Sequence, residues 1–167
     1  MVVGYKAFNK DLTNRYGKHF NAGRLYEVDG PVKFGNEGNG FHMCTTLADV
    51  FRYVDAINDE VKVAKVIGSG EMVSYNDEYE GYYDMYACSK MYVSRFLSRE
   101  EILFIICSSS NHDIIKFLRT YKLNEKELEF MVSKFKDNPV VYKGIMYYQY
   151  GHKDVYDCNC DMKLGRW

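Results

Sequence analysis

Residues 38–53 read GNGFHMCTTLADVFRY, a glycine-rich turn followed by a very short strand and then a helix. Side chains alternate along a strand, so His42 and Cys44 are expected on one face of it. Thr46 can cap the helix, and Asp49 lies three residues later in a capping-box-like position. A histidine and a thiol beside a flexible turn could form a small polar site, or the segment could be a tight structural corner.

The helix that follows this turn has one apolar face. Its apolar residues recur at helical spacing: Leu47, Val50, Phe51 and Val54. We predict that this face is buried against a sheet. Asp49 and Arg52 are predicted to be exposed, because the helix has only this one face to bury.

The rest of the first hundred residues is typical of a sheet. Segments rich in β-forming residues predict strands at 2–8, 24–28, 32–34, 61–67, 71–75 and 85–96. Residues 9–23 are polar and predict a loop. The segment Gly68–Gly70 predicts a break between two strands.

The pattern changes to a helical period after Ser98, where Glu101 completes a capping box. Asn124 is a second predicted N-cap, and Asn138-Pro139 predicts a helix end. We predict an α+β fold, a twisted and mostly antiparallel sheet with one packed helix, followed by a C-terminal helical cluster. The predicted parts are a strand-rich domain at 1–97, a helical cluster packed on it at 98–150, and a polar tail at 151–167.

Composition and charge narrow the class of partner. The formal net charge is −1, and a nucleic-acid binder usually carries a basic excess, so we expect no nucleic acid partner. No apolar run approaches the roughly 18 residues of a membrane span, so no membrane partner is expected. The chain has 16 Tyr and 10 Phe, a surplus that suits surfaces partly buried against a protein partner and also suits ordinary strands.

The five cysteines are predicted to be reduced thiols of a cytoplasmic protein, because no secretory segment opens the chain. His152, Asp157, Cys158 and Cys160 lie close together in the tail. One residue separates the two thiols, whereas zinc sites favour a separation of two to four. We therefore predict no metal site and no disulfide.

The glycine-rich turn could also carry a nucleophilic cysteine or a nucleotide-binding loop. Cys44 precedes a helix N-terminus, where the helix dipole lowers a thiol pKa, but His42 is not ideally placed to take its proton. The alternative for Cys44 is a small buried residue. Gly35, Gly38 and Gly40 match neither the phosphate loop nor the dinucleotide fingerprint. We expect no bound cofactor from these motifs.

An acidic, tyrosine-rich segment is the predicted binding surface. Its candidate residues combine carboxylates with aromatic anchors: Asp77, Glu78, Tyr79, Glu80, Tyr82 and Tyr83. Carboxylates steer a basic partner surface and tyrosines then bury area against it. The alternative is a solvated loop without a partner.

Six segments carry a resemblance to a known group of proteins: Tyr5–Phe8, Asn14–Gly17, Tyr26–Gly30, Gly40–Cys44, Asp49–Tyr53 and Val63–Gly70. In this order they resemble a small uncharacterised family that is frequent in phages and prophages. The resemblance covers about residues 4–100. It implies an accessory protein, and we expect it to act by binding a host or phage protein.

The early aromatic strand, the Gly-Phe-His corner and the helix behind it also resemble the ADP-ribosyltransferase-like fold. That resemblance implies an enzyme that uses NAD, with Tyr5 on the first strand and His42 beside the cofactor. The family also needs a glutamate on a late strand, and residues 85–97 contain none. Protein binding is therefore the first hypothesis, and NAD-dependent catalysis at the His42 corner is the alternative.

Overall fold

A computed structural model describes residues 1–14, 16–34, 38–51, 61–75 and 85–151. The strands are β1 (Val2–Asn9), β2 (Arg24–Glu27), β3 (Phe41–Cys44), β4 (Val61–Tyr75) and β5 (Met85–Phe96). The helices are α1 (Leu47–Val50), α2 (Arg99–Cys107), α3 (Asn111–Thr120), α4 (Glu125–Phe135) and α5 (Pro139–Tyr150). The predicted α+β class is confirmed, and four of the five described helices follow the last strand in the chain.

The five strands form one antiparallel sheet that closes on itself. β5 pairs with β4 along one edge, and with β3 and then β2 along the other. β1 pairs with β4 over its whole length and meets β3 where Tyr5 lies opposite Cys44. The strand order is β2-β5-β3-β1-β4, and the additional β4–β5 pairing completes the ring.

The seam between β1 and β3 depends on a glycine. A Cβ at Gly4 would overlap the Cys44 carbonyl oxygen and the Met43 side chain, so only glycine lets the two strands approach this closely. Beside this contact the Lys6 Nζ donates a hydrogen bond of 2.8 Å to the His42 carbonyl oxygen. A side chain thus adds a bond across the seam.

The two faces of the closed sheet have different apolar neighbours. The interior is filled mainly by large side chains: Phe8, Phe20, Phe41, Met43, Met91 and Val93. Phe20 comes from the loop between β1 and β2, and its ring centroid lies 5.0 Å from that of Phe8. On the outer face, Cys44 and Val63 join the core that α1 and the C-terminal helices form.

Local caps set the helix starts as predicted. Ser98 and Glu101 form a capping box at α2, and Asn124 and Glu127 form another at α4. Asn138 is the N-cap of α5, so the segment that ends one helix also begins the next. Residues 139–150 are therefore helical and form the last helix of the C-terminal cluster.

Two strand predictions were wrong. Residues 32–34 belong to no strand, because Asn39 holds the turn before them: its Nδ2 donates to the Asp29 carbonyl oxygen at 2.6 Å. The Gly68–Gly70 segment does not end β4. Instead the strand continues through a bulge between Ser69 and Met72, and Gly70 adopts a φ of 76° there.

The apolar face of α1 is buried as predicted, as far as it lies within the described residues, but the prediction that Asp49 is exposed was wrong. Leu47, Val50 and Phe51 are buried, and Thr46 accepts the Asp49 N–H as the N-cap. Asp49 is only 3% exposed, because its Oδ1 binds the Lys116 ammonium of α3 at 2.9 Å. Arg52 and Val54 lie outside the described residues.

Candidate functional site

The His42 corner is built from β3 and the turn before it. The His42 ring stacks on the Phe34 ring with centroids 5.2 Å apart and planes 12° apart. The side chain is half-buried, and its Nε2 is shielded from solvent. Phe34 therefore covers one face of the imidazole, and the Lys6 ammonium fixes the His42 backbone from the opposite strand.

The structure places Tyr5 and His42 on one face of neighbouring strands. Tyr5 lies opposite Cys44, and His42 is two residues from Cys44 in β3, so its side chain points the same way. Tyr5 is half-buried and packs against the core shared with the helices. The two residues of the NAD hypothesis therefore lie on the same face of adjacent strands, with Cys44 and not His42 directly opposite Tyr5.

The described strands contain two carboxylates, Glu27 and Glu71, and Glu27 forms an ion pair with Lys90. β5 carries no aspartate or glutamate, and Glu71 of β4 lies exposed at the bulge, where its N–H binds Ser89 Oγ at 3.0 Å. Asp49 is occupied by Lys116 and by the Thr46 hydroxyl. NAD-dependent catalysis at this corner stays a prediction.

The described cysteines pack rather than react. Cys44 and Cys88 are buried, Cys107 is half-buried, and none of the three forms a disulfide. Burial raises the pKa of Cys88, and burial also raises the pKa of Cys107. Reactive cysteines are partly exposed and have a lowered pKa, so the burial of Cys44 favours the packing role over the nucleophile.

The predicted acidic binding surface, from Asp77 to Tyr83, lies outside the described residues. The same holds for His152, Asp157, Cys158 and Cys160 of the tail. In the part of the chain that the structure describes, no three histidine, cysteine, aspartate or glutamate side chains are grouped to hold a metal ion. None of the helices described is long and apolar enough to cross a membrane.

The structure shows a surface that the sequence analysis missed. One side chain from each of four strands forms a row on the outer face of the sheet, which we call the apolar row: Leu25, Tyr92, Ile67 and Val3. Leu25 lies opposite Tyr92, Tyr92 opposite Ile67, and Ile67 opposite Val3. Directly opposite residues on one face have Cβ atoms about 5 Å apart, so the four side chains are contiguous.

The apolar row is open to solvent. Val3 is 51% exposed, Tyr92 37% and Leu25 52%, and Ile67 is partly exposed. The same face is covered a short distance away. Tyr5, two residues after Val3 in β1, and Val63, four residues before Ile67 in β4, pack against the helical core. The helices thus cover one part of this face and leave the row uncovered.

Comparison with protein families covers the sheet and both candidate surfaces. A family model described as a domain of unknown function, DUF7666, matches residues 2–104. The chain belongs to the DUF7666 family. The DUF7666 match includes all five strands, α1 and the first turns of α2, and therefore both the His42 corner and the apolar row. No curated protein and no solved structure matches the chain significantly.

Proposed function

We propose that this DUF7666 protein is an accessory protein that acts by binding another protein, and that the apolar row is the centre of its docking surface. The observation that supports this most is the exposure of four apolar side chains in register across four strands. The row lies within the part of the chain that defines the family.

The four side chains of the apolar row are contiguous, unlike the isolated apolar residues that are found on most protein surfaces. Single exposed apolar side chains are common on proteins and need no explanation. A contiguous patch exposes a larger apolar area to water in one place, and such patches mark interaction sites. Tyr92 at its middle suits the role of an anchor, because tyrosine buries a large area with few rotatable bonds.

The class of partner and the cellular compartment are proposed mainly from the sequence. The resemblance to phage and prophage proteins favours a host or phage protein as the partner. Cys44, Cys88 and Cys107 form no disulfide, which is compatible with action in the reducing cytoplasm.

The test is a comparison of capture by matched surface variants. Tyr92→Ser combined with Leu25→Ser removes the apolar row, and Phe104→Ser removes an equally aromatic side chain that is 74% exposed on α2. Unfolding midpoints and circular dichroism establish that both variants fold. We expect the wild type and the Phe104 variant to capture the same protein from host lysate and to bind it again when purified. The row variant should lose it. Unchanged binding by the row variant would overturn the proposal.

The NAD alternative is tested on the same preparations. An ADP-ribosyltransferase-like enzyme would hydrolyse NAD or modify a protein with it, and His42→Ala would abolish the reaction. NAD turnover that depends on His42 and not on the row would favour the enzyme over the binding protein.

A further inference from the structure

Two cations oppose each other beside the apolar row. Lys65 of β4 lies directly opposite Arg95 of β5, and both side chains are exposed on the outer face. Like charges placed directly opposite on one face of a sheet destabilise it. The pair therefore costs folding free energy at this position.

A backbone irregularity creates this pairing. Lys65 pairs with Arg95 and the next residue, Val66, pairs with Val93, so Ser94 is an extra residue in β5. Strict alternation from Tyr92 would turn Arg95 towards the interior of the closed sheet. The bulge returns Arg95 to the outer face, on the same side as Tyr92, and bulges commonly re-aim a side chain in this way.

The charge of this pair is only partly balanced. Arg95 forms an ion pair with Glu101 at the start of α2. In the described ranges no carboxylate lies within ion-pair distance of Lys65. Beyond the other side of the apolar row, Lys90 is neutralised by Glu27 at 3.1 Å. Among these described side chains, the charges of Lys65, Arg95 and Glu101 on one side of the row sum to +1, and those of Lys90 and Glu27 on the other side sum to zero.

We infer that the partner is a protein whose docking segment places apolar side chains on the apolar row and a carboxylate between Lys65 and Arg95. This inference rests on the proposed function and adds the chemistry and the orientation of the partner. A nucleic acid fits less well, because two cations beside four apolar side chains offer little for a chain of phosphates.

Short synthetic peptides serve as probes for this chemistry. One peptide alternates leucine with glutamate, a second alternates leucine with lysine, and a third alternates serine with glutamate; a single-stranded oligonucleotide is the fourth probe. Binding is measured by fluorescence anisotropy at low and at high salt. We expect the leucine–glutamate peptide to bind most tightly and its affinity to fall as salt rises.

Charge variants then test the orientation. Lys65→Glu should weaken the leucine–glutamate peptide about tenfold or more and improve binding of the leucine–lysine peptide, because the border changes sign. Lys90→Glu, the same change of charge, is the matched control on the other side of the row, and we expect it to change affinity less than Lys65→Glu. Unfolding curves of both variants confirm that the fold is retained.

The outcomes separate this inference from the proposed function. If Tyr92→Ser abolishes peptide binding and Lys65→Glu leaves it unchanged, the docking surface stands and the acidic partner is wrong. If the oligonucleotide binds more tightly than the acidic peptide, or if no peptide is preferred, the inference is also overturned. If Tyr92→Ser has no effect on binding, the proposed function itself fails.

Discussion

The Lys116 ammonium of α3 lies 2.9 Å from Oδ1 of Asp49 in α1, and both side chains are largely buried. This ion pair joins the helix that follows the glycine-rich turn to the C-terminal helices. We expect Lys116→Met to lower the free energy of unfolding by about 3 kcal/mol, because it leaves the Asp49 carboxylate buried without its cation. Urea unfolding measures the change.

The matched control for this pair is Lys126→Met, since Lys126 is exposed on α4. It should change stability by less than about 0.5 kcal/mol. The double variant Asp49→Asn with Lys116→Met should cost less than the sum of the two single changes. Additive costs would show that the two groups do not interact.

Phe51 is the second point at which α1 is held. It is 1% exposed, and its ring packs edge-on against Phe117 and Tyr121. Phe51→Ala should lower the free energy of unfolding by about 3–5 kcal/mol, as large-to-small changes in a core do. Phe104→Ala, the same change at an exposed site, is the control. An unchanged unfolding midpoint for Phe51→Ala would contradict this packing.

Glu101 makes the stability of the protein depend on pH. The Ser98 backbone N–H and the Arg95 guanidinium hold the pKa of Glu101 below its ordinary value of 4.5. A lowered folded-state pKa stabilises the protein above pH 4.5, and this contribution is lost as the pH falls through the folded-state pKa. Glu101→Gln should therefore be less stable than wild type at neutral pH. The difference should shrink in acid, and a constant difference across pH would refute the assignment.

Cys88 is expected to resist thiol reagents in the folded protein. Its Sγ donates to the Phe41 carbonyl oxygen at 3.4 Å inside the closed sheet, and burial raises its pKa. Modification by iodoacetamide, followed by peptide mass spectrometry, should reach Cys88 only at the rate of unfolding. Destabilisation by Phe51→Ala should then speed its labelling. Rapid labelling of Cys88 in the native protein would mean that the interior is open.

Local sequence signals predicted much of the fold. The helix starts at Ser98 and Asn124 depend on side chains within three residues, so a motif is enough to find them. The strands of the sheet were also found from their β-forming residues, whereas the strand predicted at 32–34 does not exist. The error at Asp49 has a different cause, because its partner Lys116 lies 67 residues away.

The apolar row could not be predicted for a similar reason. Val3, Leu25, Ile67 and Tyr92 are each unremarkable in sequence, and only strand order and register make them neighbours. The bulge at Ser94 that brings Arg95 beside them leaves no distinctive motif. The packing of the Phe34 ring against the His42 imidazole was not predicted either.

The pairing of Val2 with Gly68 also sets an order of events during synthesis. β1 leaves the ribosome before the other described strands, and β4, with which it pairs over its whole length, is translated roughly 3 to 13 seconds later at ordinary elongation rates. The β4–β5 hairpin has local partners and can form as soon as it emerges. Until then β3 is the strand that β1 can meet, at Tyr5 and Cys44, and closure of the ring becomes a late, long-range step of folding.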